Sequence, residues 1–193
     1  MASTLGSRLK AARTDRGASL REVAAGIGVS AALISQIELG HTQPSVSTLY
    51  SLVTFFGISL DRVMGIGPER LTPATAAPLS PSAHLAVAAR PTLAMGNGVR
   101  WELVASTPGN SAEAVLVTYE PGASSSSDGS LMTHSGREDA YLVAGELTLK
   151  LDESVAVIRV GDSFSFDSAR PHRFFNAGDH PACGIWLKVK GEV

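Results

Sequence analysis

The apolar residues of this chain follow a helical period in its first third and a two-residue period in its second half. Over the first third they recur at spacings of three and four residues, which predicts five short helices packed as one all-α unit. Ser19 with Glu22 three residues later predicts a capping box at the start of the second helix. Three other helices have a predicted N-cap residue, namely Ser30, Ser45 and Ser59.

After residue 91 apolar and polar residues alternate, as they do in half-buried strands. Pro-Gly, Ala-Gly and Gly-Asp pairs punctuate the alternation, and many short strands with such turns are typical of a small β-barrel or jelly roll. The serines at 124–127 predict a mobile loop. The predicted strands cover residues 113–119, 140–151, 155–160, 163–166 and 184–189.

Between the two patterns the composition shifts to alanine, serine and proline, with four prolines between residues 68 and 81. Such a stretch breaks helices and central strands, so it predicts a linker. We therefore expect an α+β protein of two domains, with an all-α domain at 1–66, a linker at 67–91 and an all-β domain at 92–193.

The charge distribution favours the helical part as the one that meets an anionic partner. Residues 1–70 carry seven Lys/Arg against five Asp/Glu, whereas residues 71–193 carry nine against thirteen.

The single cysteine, Cys183, excludes an intramolecular disulfide and a thiolate-rich metal site. Because the chain shows neither an apolar run long enough for a membrane span nor a secretory signal, we expect no membrane partner and a cytoplasmic protein.

The segment from Leu20 to Glu38 predicts two short helices joined by a tight turn at Gly28, the arrangement of a DNA-reading helix-turn-helix. Two ordinary packed helices would show the same small and apolar positions, so this alternative stays open. Gln36 is the strongest candidate for reading a base, because its amide can bond adenine in a bidentate manner. The predicted DNA-contacting residues are Ser19, Arg21, Ser30, Ala31, Ala32, Ser35, Gln36, His41, Thr42 and Gln43.

Residues 5–64 resemble the XRE family, the DNA-binding domains of the Cro and phage-repressor type. The resemblance implies a five-helix lambda-repressor-like fold that binds a double-stranded DNA operator. It also implies that Arg13 on the first helix pairs with Glu38 at the end of the reading helix and orients that helix. The residues that carry the resemblance are Arg8, Arg13, the run Ile-Ser-Gln-Ile-Glu-Leu-Gly at 34–40, and Pro44 with Ser45.

Two histidines and a glutamate come from two separate strand regions of the predicted barrel: His134, Glu138 and His172. Two imidazoles and one carboxylate suit a divalent metal such as Zn, Fe, Mn or Ni with open positions for a ligand. The alternative is a polar, hydrogen-bonded lining of a ligand pocket without metal. The predicted effector pocket consists of Met132, His134, Glu138, Tyr141, His172 and Trp186.

The runs at 132–147 and 161–176 resemble the two motifs of the cupin superfamily, whose fold is a jelly-roll barrel. The cupin pattern usually supplies His-x-His, then a glutamate and a later histidine as metal ligands. The position of the first histidine is Met132 here, so three of the four ligands carry over.

An XRE-like domain joined to a cupin-like barrel implies a transcription regulator whose barrel senses a small molecule and which binds its operator as a homodimer. The alternative is a non-haem iron enzyme, because the spacing of His134, Glu138 and His172 is also similar to that of hydroxypropylphosphonate epoxidase, a helical domain fused to a cupin. A third possibility is an inert barrel that only holds two DNA-binding domains together. The helical half retains Gln36 and a polar reading face, for which an enzyme has no need, so we expect a regulator rather than an enzyme.

Overall fold

The computed structural model describes residues 4–58, 60–64, 86–106 and 112–189. Within these ranges five α-helices come first, and a short 3-10 helix at Val87–Ala89 leads into nine strands. The predicted N-cap Ser59 and most of the predicted linker lie outside the described residues. The helices are α1 (Leu5–Asp15), α2 (Leu20–Ile27), α3 (Ala31–Leu39), α4 (Val46–Phe56) and α5 (Leu60–Met64). The strands are β1 (Thr92–Ala94), β2 (Val99–Ser106), β3 (Ala112–Tyr119), β4 (Arg137–Ala144), β5 (Glu146–Leu151), β6 (Ser154–Arg159), β7 (Ser163–Asp167), β8 (His172–Phe175) and β9 (Ala182–Val189).

The predicted caps of α2, α3 and α4 are confirmed. The hydroxyl of Ser19 accepts from the amide of Glu22, and the Glu22 carboxylate accepts from the amide of Ser19 at 2.7 Å, which closes the capping box. Ser30 and Ser45 accept from the third amide of α3 and of α4 in the same way. Gly28 ends α2 with φ at 72°, and no atom lies near its missing Cβ, so the turn needs glycine for its backbone conformation.

One ion pair ties the first helix to the end of α3, as the resemblance to the XRE family implied. The Nε and Nη2 atoms of Arg13 donate to the two carboxylate oxygens of Glu38 at 2.6 and 2.9 Å. Nη1 of Arg13 also donates to the carbonyl of Ala18 at 3.0 Å, just before α2. Because one guanidinium thus bonds both the end of α3 and the approach to α2, it fixes how these helices sit on α1.

The strands form two antiparallel sheets that face each other as a barrel. The larger sheet has the order β1-β2-β3-β9-β4-β7 and the smaller one β6-β5-β8. The predicted alternation at 140–151 is divided at Gly145, where φ is 72° and an added Cβ would meet the carbonyl oxygen of Pro181 at 2.4 Å. The hydropathy pattern did not predict β1, β2 and β8, two of which have only three or four residues.

The serine run was wrongly predicted to be a mobile loop. Ser124, Ser125 and Ser126 are buried. The amide of Ser125 donates to the carbonyl of Phe174 at 2.9 Å, and its hydroxyl accepts from the Phe174 amide. The run therefore packs along β8 like an additional short strand, and its hydroxyls replace the backbone partners that a longer strand would have.

Helix α4 joins the helical unit to the barrel. Six of its eleven residues are buried, which is more than one face of a helix offers. It packs against α1 and α2 within the helical unit, while Val46 and Tyr50, one turn apart, line the cavity of the barrel.

Among the described residues no single helix is long and apolar enough to cross a membrane. The pair α2 and α3 reaches the required length and apolar composition only when taken together, and the two helices are bent by 113° at their junction.

We predict that Glu38→Ala lowers the free energy of unfolding by about 1–3 kcal/mol, because it leaves a largely buried guanidinium with a single carbonyl partner. The side chains of Arg13 and Glu38 are only 16% and 6% exposed. Asp15→Ala is the matched control, since its ion pair with Arg62 is exposed and its loss should cost at most about 0.5 kcal/mol. Urea unfolding followed by circular dichroism measures both, and equal losses would contradict the orienting role of the buried pair.

Candidate functional site

The outward side of α3 is the first candidate site. Ile34 and Ile37 are buried and anchor the helix, whereas Ala32 and Gln36 are exposed. Nδ1 of His41, in the loop after the helix, lies 3.1 Å from Oε1 of Gln36 and donates to it. Because that oxygen has a second lone pair, the imidazole can hold the amide in place while the oxygen accepts another bond.

The other predicted DNA-contacting residues lie on α3 itself or on the elements next to it. Ser19 and Arg21 are exposed at the amino end of α2, where backbone amides and the helix dipole favour a phosphate. Ser30, His41 and Gln43 are also exposed. The half-buried members of the predicted set are Ala31, Ser35 and Thr42.

The second candidate site lies where the two sheets of the barrel meet. His134 precedes β4, Glu138 lies on β4 in the large sheet, and His172 begins β8 in the small one. One ligand atom from each residue lies within 4.8 Å of the others. Met132 pairs with His172 across the gap through two backbone hydrogen bonds, and the amide of His134 donates to the carbonyl of Ser168 at 3.0 Å. The structure thus brings together the three side chains that the sequence singled out.

Backbone contacts fix which nitrogen of each imidazole faces the site. Nδ1 of His172 donates to the carbonyl of Arg170 at 2.8 Å, and Nδ1 of His134 lies 3.2 Å from the carbonyl of Ser135. Both Nε2 atoms are buried without a hydrogen bond among the described residues, although Nε2 of His134 lies 3.1 Å from a carboxylate oxygen of Glu138. This arrangement leaves two Nε2 lone pairs beside a carboxylate, which is the donor set of a divalent metal site.

Burial controls the electrostatics of the barrel interior. It lowers the pKa of His172, since the imidazolium form loses its hydration there. Burial also raises the pKa of the Tyr50 and Tyr119 hydroxyls, and the charge of Glu138 adds to this effect. The interior therefore holds neutral phenols and favours a neutral His172 close to the buried carboxylate of Glu138.

The cavity beside this site is lined mainly by apolar and aromatic side chains. Met132 and Trp186 line it together with Glu138, as the sequence predicted for a pocket. The prediction of Tyr141 as a pocket residue is wrong, because inward positions on β4 are Glu138, Ala140 and Leu142. Tyr141 is 48% exposed and lines a groove on the outside of the barrel.

Sequence reasoning missed Tyr50, which lies on α4 but reaches the barrel site. Its ring stacks on the imidazole of His134 with centroids 3.9 Å apart and an interplanar angle of 1°, and its centroid lies 5.8 Å from that of Trp101. The breadth of the apolar surface of α4 was the only available signal, since it indicates a second partner for the helix but does not identify it.

Backbone contacts around Tyr50 hold α4 against the barrel. The amide of Ser47 in the first turn of α4 donates to the carbonyl of Ser125 at 2.9 Å, and the amide of Gly96 donates to the carbonyl of Pro44 at 3.0 Å. A Cβ at Gly96 would lie 2.5 Å from the carbonyl oxygen of Gln43, so only glycine permits this approach. We call the set of Val46, Ser47 and Tyr50 against Gly96, Ser125 and His134 the domain contact.

Two sequence families match this chain, one on each side of the domain contact. Residues 9–63 match HTH_3, described as Helix-turn-helix. Residues 115–188 match Cupin_2, described as Cupin domain. The first matched range contains α3, and the second contains His134, Glu138 and His172 of the barrel site.

Similar proteins extend over nearly the full length of the chain. The HTH-type transcriptional regulator PuuR of Escherichia coli is 28% identical over 173 residues, which are 89% of this chain and 86% of that protein. The solved structure of an HTH_3 family transcriptional regulator from Vibrio cholerae has a TM-score of 0.68 at 18% identity and covers 98% of this chain and 97% of its own, which shows a common fold. Hydroxypropylphosphonic acid epoxidase from S. wedmorenis covers 97% of this chain and 98% of its own at 19% identity, but its TM-score is only 0.46.

Proposed function

We propose that this chain, which matches a helix-turn-helix family and a cupin family, is an XRE-type regulator with a cupin domain and that it regulates transcription by binding a double-stranded DNA operator. The observation that carries the proposal is the exposed amide of Gln36 on α3, held by His41 and set on a helix that buried Ile34 and Ile37 anchor. The full-length relative PuuR supports a regulator over the iron enzyme. In this proposal Ser35 and Gln36 contact bases. Arg21 and the loop at 41–43 contact phosphates.

We further propose that the cupin barrel senses a small-molecule effector. Met132, Trp186 and Glu138 offer a concave, mostly apolar surface with one charged group, which is the usual character of a ligand pocket. His134, Glu138 and His172 would hold one divalent ion (Zn, Fe, Mn or Ni), which would supply a Lewis-acidic centre to bind a ligand atom. Both imidazoles are already oriented by backbone carbonyls, so the chain would gain the ion without rearranging them.

Homodimerisation through the barrels completes the proposal. One short recognition helix reads few base pairs, and two-fold operators place their half-sites about 34 Å apart, so specific binding calls for two copies. Val155, Val157 and Val160 are exposed on and beside β6 and offer an apolar patch on the outside of the barrel. In this proposal the helical domain covers 1–66, the linker 67–91 and the barrel 92–193. The protein acts in the cytoplasm.

The proposal is tested by selecting fragments of genomic DNA with the purified protein, with and without added metabolite pools. A regulator should enrich a small set of fragments that share a two-fold sequence, and a pool that contains the effector should change the enrichment. Enrichment without sequence preference would contradict operator binding. A constant set of fragments under all pools would contradict effector sensing but leave the DNA-binding proposal intact.

Gln36→Ala should weaken binding to a selected operator by about 1–3 kcal/mol and change binding to random DNA little, because it removes a base contact. Arg21→Ala is the matched comparison, since loss of a phosphate contact should weaken both DNAs alike. Fluorescence anisotropy with labelled duplexes measures both affinities. If Gln36→Ala weakens both DNAs equally, Gln36 does not read a base.

Operator affinity should fall linearly on a logarithmic scale as the salt concentration rises, since each neutralised phosphate releases counterions. Arg21→Ala should reduce the slope by about one if it loses a single phosphate contact. Titrations at several potassium chloride concentrations provide the slope. An affinity independent of salt would contradict contact with the DNA backbone.

Protein purified without chelator should contain about one divalent ion per chain, and His134→Ala should lose it, because two remaining ligands bind divalent metal weakly. His180→Ala is the matched control, since its side chain is 86% exposed on a loop. Elemental analysis by mass spectrometry measures the content. Equal metal content in the wild-type protein, His134→Ala and His180→Ala would contradict the proposed metal site.

A further inference from the structure

The ring of Tyr50 projects from α4 into the interior of the barrel. Tyr50 is only 8% exposed although it is part of the helical unit, and its ring lies flat on His134, one of the three residues of the proposed sensing site. Trp101, on the inner side of β2, meets the Tyr50 ring at 65°, so that an imidazole face and an indole bound the slot it fills. Parallel stacking of this kind suits a flat ring better than a flexible chain.

Little space remains beside the ring. The cavity lined by Tyr50, Glu138 and Trp186 has a volume of about 20 Å³, which holds roughly one water molecule. A metabolite of several heavy atoms therefore does not fit into the barrel while Tyr50 is in place. Entry of such a ligand requires the ring to leave the slot.

The position of Tyr50 is tied to the whole helical unit. Ser47 and Pro44 hold the start of α4 to the barrel through backbone hydrogen bonds with Ser125 and Gly96. On its other side α4 packs against α1 and α2, which in turn contact α3. A displacement of α4 from the barrel therefore moves the reading helix relative to the barrel.

We propose that Tyr50 is an internal occupant of the sensing site, so that a bound ligand and the domain contact exclude each other. This proposal rests on the proposed function, in which the barrel takes a small ligand. A ligand with a flat ring of about phenol size replaces the Tyr50 ring on His134 and releases α4. By linkage, the domain contact weakens ligand binding by the same factor by which the ligand weakens the domain contact.

Chemical labelling of the full-length protein, treated with chelator so that no ion protects His134, measures whether Tyr50 covers this residue. Diethyl pyrocarbonate modifies accessible neutral imidazoles, and peptide mass spectrometry gives a rate for each histidine. Tyr50→Ala should raise the rate at His134 on the order of tenfold or more, since truncating a buried tyrosine removes a dominant interface contact. The exposed His41 and His180 serve as internal references with unchanged rates. An unchanged rate at His134 overturns the proposal.

Two further variants separate the covering ring from general stability. Tyr50→Phe keeps the stacked ring and should leave His134 protected. Phe55→Ala removes another aromatic ring from α4, one that packs on Gly26 and Arg16 inside the helical unit, and should also leave His134 protected. If Phe55→Ala exposes His134 as much as Tyr50→Ala does, the protection reflects only the stability of the helical unit and the proposal fails. Tyr50→Leu, which keeps an apolar side chain in the domain contact, replaces Tyr50→Ala if the latter does not fold.

The probe ligand p-cresol, which is the tyrosine side chain as a free molecule, tests the slot directly. It should bind Tyr50→Ala, as a cavity left by truncation binds a matching ring, and should slow labelling of His134 there. The wild-type protein should bind it at least tenfold more weakly, because its own ring competes. Equal binding to both proteins overturns the proposal. Neither experiment uses DNA, metal or the natural effector, so their failure is distinguishable from failure of operator binding or of the metal site.

Discussion

The stacking of Tyr50 on His134 is the contact on which the relation between the two halves of this protein depends. It places a side chain of the helical half inside the barrel, beside a site where both imidazole Nε2 atoms are buried and little solvent remains. Removing solvent from this site strengthens the electrostatic effect of Glu138 on its neighbours and keeps the nearby phenols neutral. The barrel site and the placement of α4 are therefore not independent properties.

The proposed regulator needs a route by which a ligand in the barrel affects DNA reading by the helical domain. In that proposal no long pathway is needed, because α4 contacts both the barrel site and the helices α1 and α2, which pack on α3. The exposed face of α3, with Gln36 held by His41, remains available while the domains are in contact. Control would then act through the spacing and orientation of two reading helices on the operator, to which two-fold DNA sites are sensitive.

The parts of the structure that the sequence predicted correctly are those with local physical causes. Ser19, Ser30 and Ser45 cap helices because the partners of a cap lie within three residues, and the capping box with Glu22 follows the same rule. The pairing of Arg13 with Glu38 is not local, and it was expected only because the helical segment resembles a family in which this pair occurs. His134, Glu138 and His172 were likewise found through the recognisable spacing of two imidazoles and one carboxylate.

The errors arose where a residue's partner is distant in the chain. The predicted strand began at residue 140, but pairing with β7 extends β4 back to Arg137, so that Glu138 and Tyr141, three residues apart on one strand, lie on opposite faces. The serines at 124–126 are polar and small, yet β8 buries them by pairing with their backbone. By itself, the sequence determined the helices, their caps, the fold class and the three polar residues that meet in the barrel, since period and spacing encode them. Only the tertiary structure decided that Tyr50 lies in the barrel, because its position depends on how two separately patterned domains pack together.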